Sequence, residues 1–356
     1  MVARLFRPGA VVTPTGLRAD LDVAVEDGTV TAIGSQLPVP PGAAVVELPG
    51  AVLAPGFVDL HVHELGGAGV LDASAADVTG LAKQLAAHGT TSFLATTATV
   101  SRADLASLLA HVAAAEPVAG AAQCVGVHLE GPWLSAARAG AQPAEHLRAP
   151  DASELLDLLE RGPVRMVTLA PELAGASELI GAARRFDVVV ALGHSDATYD
   201  QAAAAVAAGA SHVTHCFNAM SPLHHREPGL AGAALDLPGV TVEAIADGVH
   251  LHPSVVRLIH KAVGAERVCV VSDAVDRGAR ADGVLAGAAV TQDVALRNLV
   301  GWGIRLVDAV TMLAATPARV LGREDIGRVA VGARADLVVL EPTGALLASY
   351  VGGVPA

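Results

Sequence analysis

The sequence contains no apolar run long enough to cross a membrane as a helix, which takes roughly 20 residues with few charges. Residues 1–8 also lack the apolar core of a secretory signal. Cysteine is scarce: Cys124, Cys216 and Cys269 form no closely spaced pair, and their odd number argues against a disulfide framework. We therefore expect a cytoplasmic protein with buried thiols and no membrane partner.

Positive charge is also limited, because 23 Lys and Arg residues stand against 36 Asp and Glu, a formal net charge of −13 at pH 7. Such a chain is not expected to bind nucleic acid. A small anionic substrate remains compatible with this charge, since one or two local cations are enough to bind it. Hydrophobic residues make up 52% and charged residues 17%, which indicates a globular chain with a large core.

Both ends of the chain contain short strand-like segments. Near the start, Asp27-Gly28 separates two apolar stretches, which is a strong hairpin signal. Residues 327–340 and 350–353 have a similar β character. We predict a small β domain formed by residues 1–54 and 323–356, enclosing a large central domain at 55–322.

In the central region, apolar strand-like runs alternate with Ala- and Leu-rich helical stretches. The eight apolar runs occupy residues 56–63, 92–97, 124–130, 165–170, 188–193, 212–215, 240–247 and 268–273. The helical stretches include residues 75–88, 102–115, 153–161, 197–208 and 253–263, with Ser101 and Ser153 as candidate N-caps. This alternation predicts an α/β fold of parallel βα units, and eight units predict a closed (β/α)8 barrel of the TIM type. An open doubly wound sheet is the competing arrangement.

Five of the eight runs end in residue types that bind metal ions. These residues are His61, His63, Glu130, His194, His215 and Asp273. Functional groups of such barrels lie at the C-terminal ends of the strands, and residues two apart share one face of a strand. Imidazole and carboxylate ligands suit Zn²⁺, Fe²⁺, Co²⁺ or Mn²⁺. We therefore predict a centre for one or two divalent ions, with Zn²⁺ favoured.

Two carboxylates of this set have distinct expected roles. Glu130 is placed to bridge two ions about 4 Å apart. Asp273 is available to move a proton between water and a leaving amine. Six further histidines are expected to be structural, in the core or on helices and loops: His88, His111, His128, His146, His212 and His260.

The order of the motifs resembles that of the amidohydrolase superfamily and, within it, the N-acetylglucosamine-6-phosphate deacetylases. The matching segments are residues 55–63, 127–133, 168–172, 192–195, 213–220, 226–232, 246–250, 271–274 and 285–287. The first is shared across the superfamily, whereas Leu-Glu-Gly-Pro, Phe-Asn-Ala-Met and Arg-Glu-Pro-Gly are specific to the deacetylase group. The resemblance implies metal-dependent hydrolysis of the acetamide of N-acetylglucosamine 6-phosphate, a phosphorylated amino sugar.

The resemblance also implies roles for individual residues. It places one ion on Glu130, His194 and His215 and a second on His61 and His63, with Asp273 as the catalytic acid and base. It assigns the sugar phosphate to Asn218, the backbone N–H of Ala219, Arg226 and His250. One of the cationic groups is implied to reach in from a second subunit, which predicts a homodimer.

Two departures from the family pattern stand out. Gln142 occupies the position of a histidine that helps to polarise the acetyl carbonyl, and it supplies a hydrogen bond without a charge. Residues 274–284 are shorter than the corresponding β insertion of relatives. These departures keep a different substrate open, such as N-acetylgalactosamine 6-phosphate or another N-acyl compound. A non-catalytic barrel protein is the remaining alternative.

Overall fold

The computed structural model describes residues 3–72, 77–276 and 285–356. Its strands are β1 (Ala3–Thr13), β2 (Gly16–Ala19), β3 (Asp22–Glu26), β4 (Thr29–Gly34), β5 (Ala44–Pro55), β6 (Phe57–Val62), β7 (Glu64–Leu65), β8 (Ala68–Gly69), β9 (Thr90–Thr97), β10 (Gln123–Glu130), β11 (Val164–Leu169), β12 (Val189–Leu192), β13 (His212–Val213), β14 (Thr241–Ile245), β15 (Val268–Val271), β16 (Leu337–Leu340), β17 (Leu346–Val351) and β18 (Val354–Pro355).

Its helices are α1 (Val78–Ala87), α2 (Arg102–Ala114), α3 (Ala152–Leu159), α4 (Ala176–Arg184), α5 (Tyr199–Ala208), α6 (Gly229–Asp236), α7 (Pro253–Val263), α8 (Gln292–Gly301), α9 (Leu306–Val310) and α10 (Thr316–Val320). A π-helical turn, Thr311–Ala315, joins the last two. Short 3₁₀ turns occupy Ala136–Arg138, Ala144–His146 and Ala265–Arg267. None of these helices combines the length and the apolar character that a bilayer crossing requires in the described ranges.

The central region is a parallel barrel, as predicted. Its strand order is β6-β9-β10-β11-β12-β13-β14-β15, and each of the eight predicted apolar runs overlaps one of these strands. Every residue of β6 and β9 is buried, because a parallel sheet is covered on both faces. The barrel closes between its last and first strands: the Asp273 amide donates to the His61 carbonyl at 2.8 Å, and Val62 pairs with Ala274 in parallel.

Local capping explains where several of the helices begin. Ser101 caps α2, as predicted, by accepting from the Asp104 amide. Ser153 is wrong as a cap, because the Asp151 carboxylate accepts from the Ser153 and Glu154 amides and starts α3 one residue earlier. The predicted helix at 75–88 begins at Val78 in the structure, and residues 75–76 lie outside the described residues.

The two ends of the chain share one sheet in the order β18-β17-β16-β5-β1-β3-β4, with β2 paired to β1. Strand β5 runs parallel to β1 and antiparallel to β16, so it joins the first and last segments of the chain. This sheet has its own core, which includes Phe6, Val25, Leu53 and Leu337. A small β domain formed by both termini is therefore present. The exact boundaries at residues 54 and 323 stay a prediction.

Candidate metal centre and substrate site

The predicted metal-binding side chains converge at the C-terminal end of the barrel. His61 lies in β6 and His63 just beyond it, and Glu130 is the last residue of β10. Three further residues each lie two positions beyond the end of a strand, after β12, β13 and β15 respectively: His194, His215 and Asp273. Parallel strands all end on the same side of a barrel, so side chains up to 212 residues apart meet in one place.

One group of potential ligand atoms comprises Glu130, His194 and His215. The Nε2 atoms of His194 and His215 each lie 3.0 Å from Glu130 Oε1. The same two Nε2 atoms lie 3.0 Å from each other. All three side chains are at most 6% exposed, so these polar atoms are almost completely shielded from solvent.

A second group comprises His61, His63 and Asp273. Asp273 Oδ1 lies 3.4 Å from the Nε2 atoms of both histidines, which are 3.2 Å apart. Glu130 lies beside this group too, with Oε1 3.5 Å from His61 Nε2 and Oε2 3.5 Å from His63 Nε2. The Glu130 carboxylate therefore faces both groups, in the position that a bridging ligand requires.

Hydrogen bonds at Nδ1 fix which ring nitrogen faces the centre. His63 Nδ1 donates to the Thr96 carbonyl at 2.9 Å, and His194 Nδ1 donates to the Arg138 carbonyl at 3.0 Å. His61 Nδ1 donates to the Glu243 carboxylate at 3.0 Å. In the neutral ring each Nε2 then carries a lone pair, and these lone pairs point at one another and at carboxylate oxygens. Lone pairs and carboxylate oxygens this close together require a cation between them, so the residues fit a divalent metal ion.

The electrostatics of the cluster show that it attracts positive charge. Burial favours the neutral form of Glu130, yet His61 and His194 hold the pKa of its carboxyl well below the usual range. Burial disfavours a charge on His61, yet Glu130, Asp273 and Glu243 raise its pKa well above the usual value. The carboxylates thus remain anionic at neutral pH and attract positive charge to the centre.

The backbone is unusual at the ends of three barrel strands. His194, His215 and Asp273 have φ angles of 46°, 25° and 46°, in the left-handed region that residues other than glycine rarely adopt. Strained backbone of this kind is concentrated at functional sites, where it aims a side chain that a regular strand would direct elsewhere. The sequence offers no signal for it, because none of the three residues is a glycine.

Gln142 contacts the centre through the bridging carboxylate. Its Oε1 accepts from the Thr99 amide at 2.7 Å, which fixes the orientation of the side-chain amide. Its Nε2 therefore faces inward and donates to Glu130 Oε2 at 2.5 Å. Gln142, which departs from the family pattern, therefore lies at the candidate metal centre. Its Nε2 has a second N–H that is not used in the bond to Glu130.

The residues predicted to bind the sugar phosphate lie on two loops, one after β13 and one after β14. Asn218 lies three residues after His215 and is followed by Ala219; Asn218 Nδ2 donates to the His215 carbonyl at 3.2 Å, and Ala219 has a left-handed φ of 46°. His250 is held by Asp247, whose Oδ2 lies 2.7 Å from His250 Nδ1. These three residues lie on loops that follow the barrel strands β13 and β14.

Arg226 is placed differently. Its Nη1 donates to the neighbouring His225 Nε2 at 2.7 Å, and it lines an open cleft of ≈ 960 Å³ together with Arg138 and Tyr199. Within the described residues, no hydrogen bond or ion pair joins Arg226 to Asn218 or His250. The short segment predicted at residues 274–284 is described only to residue 276, and residues 277–284 lie outside the described residues.

Sequence reasoning missed Glu243. This carboxylate lies in the middle of β14, is 0% exposed and contacts His61, His212 and the His215 backbone. A charged residue inside an otherwise apolar barrel strand was the available signal. His212, expected to be structural, is one of its partners.

Comparison with known proteins identifies the family of this chain. Residues 52–355 match the amidohydrolase family. The chain belongs to this family. The amidohydrolase is 35% identical to the N-acetylglucosamine-6-phosphate deacetylase of Bacillus subtilis (strain 168), covering 94% of this chain and 92% of that protein. It is 33% identical to the N-acetylgalactosamine-6-phosphate deacetylase of Escherichia coli O157:H7, covering 96% of both.

A solved structure resembles the amidohydrolase over nearly its full length. It is a mutant N-acetyl-D-glucosamine-6-phosphate deacetylase from Mycobacterium smegmatis in complex with N-acetyl-D-glucosamine-6-phosphate. The TM-score is 0.90 at 36% identity, and the match covers 100% of this chain and 99% of that one. The predicted barrel with a small terminal β domain is thereby confirmed as the amidohydrolase fold.

Proposed function

We propose that this amidohydrolase hydrolyses the acetamide of N-acetyl-D-glucosamine 6-phosphate to D-glucosamine 6-phosphate and acetate. The observation that carries the proposal is the shared Glu130 carboxylate between two groups of ligand atoms at the barrel mouth. It occurs in a chain that is similar along nearly its whole length to enzymes named for this deacetylation.

The proposed metal ligands form the two groups described above. Glu130, His194 and His215 hold one ion, and His61, His63 and Asp273 hold a second. A bound divalent ion polarises the amide carbonyl and lowers the pKa of a water ligand to about 7. Zn²⁺ is the proposed metal, because the donor set consists of imidazole nitrogen and carboxylate oxygen without thiolate. Fe²⁺, Mn²⁺ and Co²⁺ accept the same ligands.

Asp273 is the proposed catalytic acid and base. Its carboxyl pKa is lowered because the effect of burial is outweighed by His61, His63 and His215, so the group is anionic and ready to accept a proton. It takes the proton from the attacking water and returns it to the departing nitrogen. Gln142 has one N–H on Glu130 and presents the second to the acetyl oxygen, where it stabilises developing negative charge.

The sugar phosphate is proposed to bind to Asn218, the Ala219 backbone N–H, His250 and Arg226. Arginine offers a planar pair of donors for phosphate, and a backbone N–H adds a neutral one. Arg226 lines an open cleft whose lining residues do not include the other three. This placement supports a homodimer in which Arg226 completes the site of the partner.

A cytoplasmic location is part of the proposal. Cys124, Cys216 and Cys269 are all free thiols, and two of them are buried. Unpaired cysteines are the usual state in a reducing compartment.

N-acetylgalactosamine 6-phosphate is the second candidate substrate, because one similar relative is named for it. Acetate release should be compared for the gluco and galacto 6-phosphates, unphosphorylated N-acetylglucosamine and an N-acetyl amino acid. The proposal requires the gluco 6-phosphate to have the highest kcat/KM. A higher value for the galacto epimer would transfer the assignment to that sugar, and activity only on the amino acid would overturn it.

A further inference from the structure

Glu243 is a buried carboxylate that the proposed reaction does not use directly. It is 0% exposed in the middle of β14, a costly position for a charge unless hydrogen bonds compensate it. Three donors do so. His61 Nδ1 and the His215 amide approach Oε2 at 3.0 and 3.1 Å, and His212 Nε2 approaches Oε1 at 3.1 Å.

Two of these partners belong to different proposed metal groups. His61 lies on the first barrel strand and His215 follows the sixth, yet both bond to the same carboxylate oxygen. The third partner, His212, holds the other oxygen and is itself held by Thr241 at 2.6 Å. His212 therefore fixes one oxygen of Glu243, and the other oxygen orients the proposed metal ligands His61 and His215.

Glu243 could instead belong to a third metal site, because its oxygen lies close to nitrogen atoms of His61 and His128. The hydrogen bonds argue against this arrangement. His128 Nδ1 donates to the Leu60 carbonyl at 3.1 Å, and its Nε2 contacts Thr168 Oγ1 at 2.7 Å. Both nitrogens of the His128 ring already have hydrogen-bond partners, so His128 has no free lone pair to offer a third metal ion.

We propose that Glu243 is a positioning residue that prepares both metal groups. By accepting from His61 Nδ1, it selects the neutral tautomer whose lone pair is on Nε2, the nitrogen that faces His63, Glu130 and Asp273. By accepting from the His215 amide, it holds the backbone of that residue at a φ of 25°. Carboxylates that orient metal-bound histidines typically contribute about 10- to 100-fold to metal affinity.

This inference rests on the proposed metal centre, and Glu243→Gln tests it. The amide keeps one acceptor oxygen but turns an NH₂ group toward donors, so one ring must change its tautomer or its position. Purified proteins would be loaded with Zn²⁺ and dialysed against graded concentrations of a chelator. We expect Glu243→Gln to lose at least one Zn²⁺ equivalent at about 10- to 100-fold lower chelator concentration than wild type.

The matched control is Asp336→Asn, another buried carboxylate, which accepts from Arg334 and the Gly352 amide beside the terminal sheet. It should lower the melting temperature of the metal-free protein and leave Zn²⁺ retention unchanged. A purely structural role for Glu243 would reproduce that pattern and overturn the inference. The rise in melting temperature on adding Zn²⁺ gives a second readout, which should shrink in Glu243→Gln and stay full in the control.

Glu243→Asp replaces Glu243→Gln in the same experiment if the glutamine variant does not fold. It keeps the charge but is shorter by one methylene, so it cannot reach His61 and His212 together. Zn²⁺ retention equal to wild type in the folded variant would overturn the inference while leaving the proposed function intact. Wild-type protein that retains no Zn²⁺ at any chelator concentration would overturn both.

Discussion

The carbonyl of His61 accepts a 2.8 Å hydrogen bond from the amide of Asp273. This bond joins the first barrel strand to the residues that follow the last one, so the contact that closes the barrel also brings Asp273 to the centre. It also places Asp273 Oδ1 3.4 Å from His61 Nε2. Of the six proposed ligands, Asp273 is the one most distant in sequence from His61 and among the nearest to it in space.

Asp273→Asn should lower kcat by about 100- to 10,000-fold, because the amide cannot accept and return a proton. Metal content should largely survive, since asparagine keeps an oxygen on the ion. Steady-state kinetics and elemental analysis of the same preparation check both halves. Turnover close to wild type would remove Asp273 from proton transfer.

Arg226→Ala should raise KM for N-acetylglucosamine 6-phosphate by about 10- to 100-fold, the usual effect of losing a hydrogen bond to a charged group. The unphosphorylated sugar should be affected much less. Arg102→Ala is the control, because Arg102 is an exposed arginine at the start of α2, where it pairs with Asp151. Equal changes for both sugars would exclude Arg226 from phosphate recognition.

Gln142→Ala should reduce kcat by about 100-fold, as expected for the loss of one donor to a developing oxyanion. Gln142→His restores a donor at this position and should keep most of the turnover. Circular dichroism confirms that both variants are folded. If the alanine variant retained wild-type kcat, the role of Gln142 would be confined to its bonds with Thr99 and Glu130.

Gly193→Ala tests how tightly the backbone before His194 is packed. An added Cβ would lie 2.9 Å from Thr214 Cβ and 3.0 Å from Thr168 Cγ2. The variant should lose about 1–3 kcal/mol of unfolding free energy and much of its turnover. Gly181→Ala, in helix α4 with nothing within 4 Å, should instead gain about 0.5–1 kcal/mol. Urea unfolding curves of the metal-free proteins measure both changes.

The barrel and the convergence of its ligands could be predicted from sequence. Alternation of apolar and helical runs indicates parallel βα units, and closure then brings every strand end to one rim. His194, His215 and Asp273 are therefore identifiable from their place just after apolar runs. The positions of the strand ends determine this convergence, and it does not depend on side-chain conformations.

The finer arrangement depends on packing that no local pattern encodes. His215 has a left-handed φ, and its amide donates to the Glu243 carboxylate, 28 residues away in sequence. The orientation of Gln142 likewise depends on the Thr99 amide, 43 residues away in sequence. The N-cap of α3 could not be predicted for the same reason, because Asp151 and Ser153 both have side chains suited to capping and Asp151 takes this position in the structure.

The most direct test of the account is acetate release from N-acetylglucosamine 6-phosphate by protein stripped of metal and then restored with Zn²⁺, Mn²⁺, Fe²⁺ or Co²⁺ in turn. The account predicts that stripping abolishes turnover and that at least one ion restores it, with the phosphorylated gluco sugar strongly preferred. Undiminished turnover in the stripped protein would contradict it. So would a fully metal-loaded protein that releases no acetate from any acetamido sugar phosphate.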